Sequence, residues 1–475
     1  MNSQTARRPD NKRSNKRPNR SNNKAGKYTK QTARFEGKRD GKPLIFGWGG
    51  HLSHNEKVQL QKRATWATAI GIGLLIVIVI VGFWININVV TPGLPITSVN
   101  GHPIPQSLYR KMVAFQTELA QNNINGPHGL TAQRDSLRTQ VATLTKSVND
   151  TNARITSLNA QLKALPAGSS IERTNLTAQL KGQQAQLAIE QSQLSTANTA
   201  YSNLTQTTLP QAQANFNQSQ VGNDSVNWLQ QDELIREWLA TQSSAVQAKV
   251  NPTPSAVSHA MNDFIANIPK SSSYSAFLSR DSVSDSDMQA MMTVKLRRDN
   301  MQAYLASQIV SPAYQVLARS MTIDTQAHAQ KVLKQLQAGG NFGTLAKANS
   351  SDANTNTKGG DLGWLVRGQY AQNFSAAVVE NWLFDPHRKL NEISPILYEN
   401  GAYHIVQLLA VDPSRPVDAS TLQTLKNNAL ANWVIEQEAL PTAKVTSVDQ
   451  NMLLDTANMP PDLPLSAPSG ITPTP

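Results

Sequence analysis

The 475-residue chain has no cysteine, which excludes disulfides, thiolate nucleophiles, cysteine-based zinc sites and a lipid-modified cysteine anchor. Histidine is scarce, with eight in all. Only His51 and His54 stand at a metal-ligand spacing, and without a third ligand they read as a chance pair, so no metal or other cofactor is expected. Acidic residues are scarce at one end: residues 1–65 hold 4 acidic against 17 basic side chains, and the other 410 residues hold 28 against 27. The net charge of +12 therefore comes entirely from the first segment. That segment is also poor in apolar side chains, with Tyr28 the single aromatic among its first 34 residues. A basic, Asn-rich tail over 1–63 is expected to be disordered, because it cannot offset the entropy of ordering.

A long apolar run follows. Ala64–Ile85 is 22 residues without a charge, and about 20 such residues span a bilayer core as a helix. Trp66 and Trp84 stand near its ends, as interfacial anchors do. A cleaved signal peptide would need a charged region of unusual length, so an uncleaved anchor over 64–86 is the reading. The positive-inside rule puts the basic tail in the cytoplasm and the rest outside the membrane, in a bacterial envelope. The tail would attract anionic lipids at about 1 kcal/mol per basic residue. Nucleic-acid binding is the alternative and is not expected beside a membrane helix.

Beyond the anchor, apolar residues recur in sevens. Leu137, Leu144, Leu158 and Leu165 keep one register, and Val141, Val148, Ile155 and Leu162 another, with Thr151 the exception. Pro166 and Gly168 stop this helix, Ser169 and Glu172 offer a capping box, and Leu180, Leu187, Leu194 and Tyr201 repeat the spacing. The pattern predicts an antiparallel coiled-coil hairpin over 127–221, with a dimerising parallel coil, and hence a coiled-coil partner, as the alternative. The flanks, 92–126 and 222–315, read as one helical domain split by this arm.

Gly363 and Gly368 have the spacing of a phosphate-binding loop, but Gln369 and Tyr370 follow where Lys and Ser or Thr are required. The surrounding order is strand, helices, polar loop, the strand "DLGWLV", the helix "NFSAAVVENWLF", then the strands "SPILYE" and "AYHIVQLLAV". Five motifs appear within it: "GNF..LAK..SSD" (Gly340 to Asp352), "GGDLGW" (Gly359 to Trp364), "F..AV" (Phe374 to Val378), "NEISP" (Asn391 to Pro395) and "AYHIVQLL" (Ala402 to Leu409). In this order and spacing they resemble a parvulin-type peptidyl-prolyl isomerase over 316–412. The helical segments "VNGHPI", "ELIREWLA" and "DMQAMMTVKLRRDNMQAYL" look like the chaperone domain of the SurA, PrsA and PpiD group.

The resemblance implies an α+β chain. It would combine a single transmembrane helix, a helical chaperone domain interrupted by the coiled-coil hairpin, and a four-stranded antiparallel sheet surrounded by helices. It also implies binding of unfolded or nascent secreted polypeptides, and a proline-binding groove formed here by Leu362, Tyr370 and Phe374 with His404 as the catalytic histidine. Ser320 stands where the family has a second histidine, and Ala353 where it has Asp or Cys. Tyr370 replaces a Met, Ala402 a Gly, and Asn391 a Gly of the turn. His328 is expected on an exposed helix face, away from the groove. A foldase with weak catalysis is implied, with a non-catalytic envelope scaffold as the alternative. A helix over 416–445 would pack on the chaperone domain, and the Pro-rich 456–475 would be a disordered tail.

Overall fold

The computed structural model describes residues 38–39, 42–43, 54–374, 377–440 and 442–465. Most of the basic tail and the last ten residues lie outside the described residues, as does the side chain of Phe374. A two-residue antiparallel ladder, Lys38–Arg39 on Lys42–Pro43, is what the tail contributes. Helix α1, His54–Ile85, carries the apolar run, and its Val58–Ile85 portion is long and apolar enough to cross a membrane.

After α1, strands β1 (Pro95–Val99) and β2 (His102–Pro105) form a hairpin. Its turn residues Asn100 and Gly101 have φ of 49° and 90°, the two left-handed positions that match the twist of paired strands. Helix α2 (Gln106–Asn125) leads into the arm, α3 (Leu130–Ala164) and α4 (Ser170–Asn203), which run against each other as a coiled-coil hairpin. The expected capping box does not form, since Ser169 makes no side-chain cap bond. Arg173 ties the turn back to α3, its guanidinium donating to the carbonyls of Leu162 and Leu165 at 3.3 and 3.2 Å. The heptad exception has a physical counterpart too. Thr151 is buried opposite Glu190, whose Oε1 accepts from Ser147 Oγ at 2.8 Å and Gln186 Nε2 at 3.0 Å. Such a polar layer fixes the register of an otherwise apolar seam.

Behind the arm come α5 (Gln218–Ala240), α6 (Ser244–Val250), α7 (Pro254–Ala266), α8 (Tyr274–Arg280) and α9 (Asp285–Gln308). The Ser284–Asp287 capping box starts α9. Residues from both sides of the arm share one core: Val99, Met112 and Phe115 from before it, Leu229, Ile235, Phe264, Met288 and Met301 from after. Near this core Asp232 pairs with Arg297 at 2.5 Å. Burial holds the Asp232 carboxyl above its ordinary range, and the Arg297 guanidinium opposes that shift.

The sheet follows: β3 (Ala313–Ile323), β4 (Asp361–Val366), β5 (Leu397–Glu399) and β6 (Ala402–Arg415), in spatial order β4-β3-β6-β5, all antiparallel. Helices α10 (Gln326–Gln337) and α11 (Phe342–Asn349) cover one face through Met321, Ile323 and Ile405. The predicted helix "NFSAAVVENWLF" is two short helices, α12 (Gln369–Phe374) and α13 (Val378–Leu383), on the other face. The helix read over 416–445 likewise breaks at Asn428 into α14 (Ala419–Asn427) and α15 (Ala429–Glu438). Its Trp433 meets Trp238 edge-on at 5.9 Å in the helical core. The described part of the Pro-rich tail departs from expectation, because Met459 and Leu463 interrupt its prolines. Leu463 is buried in the helical core, and Gln218 N–H donates to the Pro464 carbonyl at 2.9 Å.

Candidate functional site: a polar groove on the sheet

Antiparallel register puts Thr322 of β3 opposite His404 of β6, and Ser320 opposite Val406. Directly paired residues share a face, so Ser320, Thr322 and His404 all point to the side covered by α12 and α13. There, Thr322, Ser351, Asp352, Glu399, Asn400, Ala402 and His404 line a cavity of about 210 Å³.

The polar loop is stitched to β3. Ser351 N–H donates to the Thr322 carbonyl at 2.8 Å, and Thr322 N–H donates to Ser350 Oγ at 3.1 Å. The Asp352 carboxylate is held at the mouth by Asn354 N–H (3.0 Å) and Thr355 Oγ1 (2.5 Å). Ala353, where the resemblance implies Asp or Cys, is exposed next to it and does not line the cavity.

His404 is buried, with Nδ1 3.4 Å from Thr322 Oγ1 and a ring hydrogen bond to the Glu399 backbone. Burial lowers its pKa, against the pull of the Glu399 backbone and of Asp352, so the imidazole is neutral. It therefore joins β3 to β5 and presents a neutral ring to the groove. The depressed pKa has a stability consequence. The folded state resists protonation that the unfolded chain accepts near pH 6.5, so this contribution is present above pH 6.5 and lost as pH falls through the folded value. The melting temperature is expected to drop from pH 7.5 to pH 5, with a shallower drop in His404→Asn. Equal slopes in the two proteins would contradict this.

Tyr370, on the first turn of α12, is fully buried among Val316, Ala318, Leu365 and Val406, with Leu362 half-buried at the edge of the same cluster. The phenol faces Ser320, Glu399 and Asp352, and burial raises its pKa. The expectation that α12 presents Tyr370 to a bound proline thus meets a different geometry: the ring backs the groove. Ser320, itself buried, stands beside the phenol. His328 lies exposed on α10, its Nε2 2.9 Å from Asn349 Oδ1.

Two buried carboxylates that sequence reading missed hold these parts in place. Glu380 on α13 accepts from Gly368 N–H and, at 2.8 Å, from Ala371 N–H, which fixes the turn into α12. Glu399 Oε1 accepts from Val378 and Val379 N–H at 2.5 and 3.3 Å and so starts α13. Burial raises both carboxyl pKa values, and the backbone donors oppose it. A charge inside the apolar run "AAVVENWLF" was the available signal for Glu380.

A small antiparallel sheet with helices on both faces and a polar groove beside a buried histidine is the arrangement these residues build. Residues 317–410 match the rotamase family described as the PPIC-type PPIASE domain. That stretch is a parvulin-type rotamase domain, and the chain has relatives of the PrsA and SurA kind. It is 34% identical over 94 residues to the foldase protein PrsA of Exiguobacterium sibiricum, covering 20% of this chain and 29% of that protein. To the chaperone SurA of Thiobacillus denitrificans it is 29% identical over 150 residues, 32% of each chain. The crystal structure of the peptidylprolyl isomerase PrsA from Bacillus anthracis aligns over 44% of this chain and 88% of its own, at 21% identity and a TM-score of 0.22. The chain thus spans about a third of the length of these curated relatives.

Proposed function

We propose that the chain is a membrane-anchored, extracytoplasmic foldase that binds unfolded secreted or envelope polypeptides and isomerises their X-Pro bonds weakly. The match of residues 317–410 to the rotamase family carries this reading. The one long apolar helix among the described residues and the basic segment before it support an anchor with the tail at anionic lipids on the cytoplasmic side.

Rotation about X-Pro faces a barrier near 20 kcal/mol, because twisting breaks amide resonance. No nucleophile is needed. The groove accelerates rotation to the extent that it binds the twisted amide better than either planar form. Thr322, Asn400 and the neutral His404 are the polar groups beside which the twisted amide would lie. Leu362 would flank the proline ring, and Phe374 joins the proposal through its place in the "F..AV" motif alone. One observation favours a second reading, a peptide clamp without catalysis: the His404 ring and Tyr370 are both buried, and Ser320 supplies no imidazole.

The full chain in detergent micelles, added to a refolding reaction limited by proline isomerisation, is expected to speed the slow phase, with His404→Ala reducing the acceleration several-fold. No acceleration by the wild type would remove the enzymatic reading, and suppressed aggregation of a client would then leave the clamp.

A further inference from the structure

The helical domain carries a second cluster of chemistry-bearing side chains, remote in sequence from the groove. Before the arm, His102 starts β2; behind it, Glu233 and Glu237 stand one turn apart on α5. The three converge. His102 Nδ1 lies 2.7 Å from Glu233 Oε1 and 3.4 Å from Glu237 Oε1, and all three atoms fall within 4.8 Å of one another.

The outer oxygens are already held. Arg236 Nη1 donates to Glu233 Oε2 at 2.7 Å, and Asn100 Nδ2 donates to Glu237 Oε2 at 2.6 Å. Asn100 is itself fixed, because its Oδ1 accepts from Lys444 N–H at 2.8 Å and its N–H donates to the Lys444 carbonyl at 2.9 Å. Each carboxylate is therefore oriented from behind, with one oxygen turned toward the imidazole. An imidazole Nδ1 carries one proton, and one carboxylate satisfies it. Two carboxylates aimed at the same nitrogen match the needs of a cation with several coordination positions better than those of a single N–H.

We propose that His102, Glu233 and Glu237 bind a divalent transition-metal ion, Zn²⁺ by preference. An imidazole nitrogen with two carboxylate oxygens is a borderline donor set that suits Zn²⁺, whereas Mg²⁺ and Ca²⁺ favour oxygen alone. Zinc bonds of about 2.0–2.2 Å put tetrahedral ligand atoms about 3.4 Å apart. The His102–Glu237 separation of 3.4 Å already has this value, while His102 and Glu233, now hydrogen-bonded at 2.7 Å, would part by about 0.7 Å as the metal displaces the proton between them. The fourth position opens to solvent on the side of His102, whose side chain is 64% exposed. Arg236, beside the site, stays on the far oxygen of Glu233. Binding would bridge the two sequence segments that the arm separates, closing a loop of roughly 130 residues whose closure entropy the metal would help to offset.

The test uses the full chain in detergent micelles, stripped with chelator and titrated with Zn²⁺ by calorimetry, alongside His102→Ala and Glu237→Gln. One site is expected in the wild type, weakened at least tenfold in each variant. X-ray absorption at the zinc edge should show nitrogen and oxygen neighbours only, with an imidazole contribution lost in His102→Ala. At a hundredfold excess over Kd, Zn²⁺ should raise the wild-type Tm by about 5 °C and leave the variants unmoved, although their metal-free Tm values match. Zinc binding of equal strength in wild type and His102→Ala, or no binding at this stoichiometry, overturns the site and leaves an ordinary ion pair.

Discussion

Gly360→Ala is expected to unfold or severely loosen the rotamase domain. Gly360 has φ of +80°, and a Cβ built there would sit 2.3 Å from the Ser320 carbonyl oxygen, a backbone atom that no rotamer change can move. The same residue accepts the Ser320 N–H at 2.8 Å, so retreat of the chain would break the contact that starts β4 against β3. Left-handed backbone costs about 1 kcal/mol or more for a residue with a Cβ, and overpacking adds about 1–3 kcal/mol. A total of about 3 kcal/mol lowers the melting transition of a domain this size by roughly 12 °C or more. Gly363 is the internal control. It has φ of +70° with open space around its Cβ position, so Gly363→Ala is expected to cost only the conformational part, about 1 kcal/mol. Calorimetry of the two variants decides the matter, and equal transitions in both would remove the steric argument.

The glycines show where the sequence was legible. Gly359 and Gly360 were readable as a tight turn before a strand, and "DLGWLV" is that strand residue for residue. The heptads predicted the arm because period is a property of consecutive residues. The chain was less legible wherever a distant group ends or begins an element. The break between α12 and α13 depends on Glu399, a residue of β5, and no local pattern in "NFSAAVVENWLF" announces it. The arm's turn is held by Arg173, whose guanidinium reaches back from α4 to open carbonyls at the end of α3, a contact that the local Ser169–Glu172 spacing does not announce. At the groove, motif order pointed to His404 and Leu362; His404 lines the cavity, whereas Leu362 lies in the apolar cluster around Tyr370. The burial of Tyr370 was not legible, since it depends on partners distant in sequence, Val316, Ala318 and Val406 among them. The departures at Ser320 and Tyr370, read separately in the sequence, meet in one packed contact.

That contact makes a prediction with a large effect. If Tyr370 fills the space that Ser320 leaves, the two positions must change together. Ser320→His alone puts an imidazole into a site already closed by the phenol, with Ser320 3% and Tyr370 2% exposed. It is expected to cost about 1–3 kcal/mol by overpacking and to lower isomerase activity. Tyr370→Met alone opens a cavity and removes the phenol, with a loss of similar size. The double variant Ser320→His/Tyr370→Met should be more stable than the sum of the two losses allows, by about 0.5–3 kcal/mol of coupling. The imidazole would then lie on β3 two residues from Thr322, the register partner of His404, in the two-histidine arrangement that the parvulin resemblance implies. Acceleration of proline-limited refolding by the double variant is therefore expected to exceed the wild type by about tenfold, the equivalent of about 1.4 kcal/mol of added binding to the twisted amide. Additive stabilities would show that the two residues do not share one space. Strong coupling without any gain in rate would show instead that the groove binds through its shape, and that the loss of the first-strand imidazole was not what weakened catalysis.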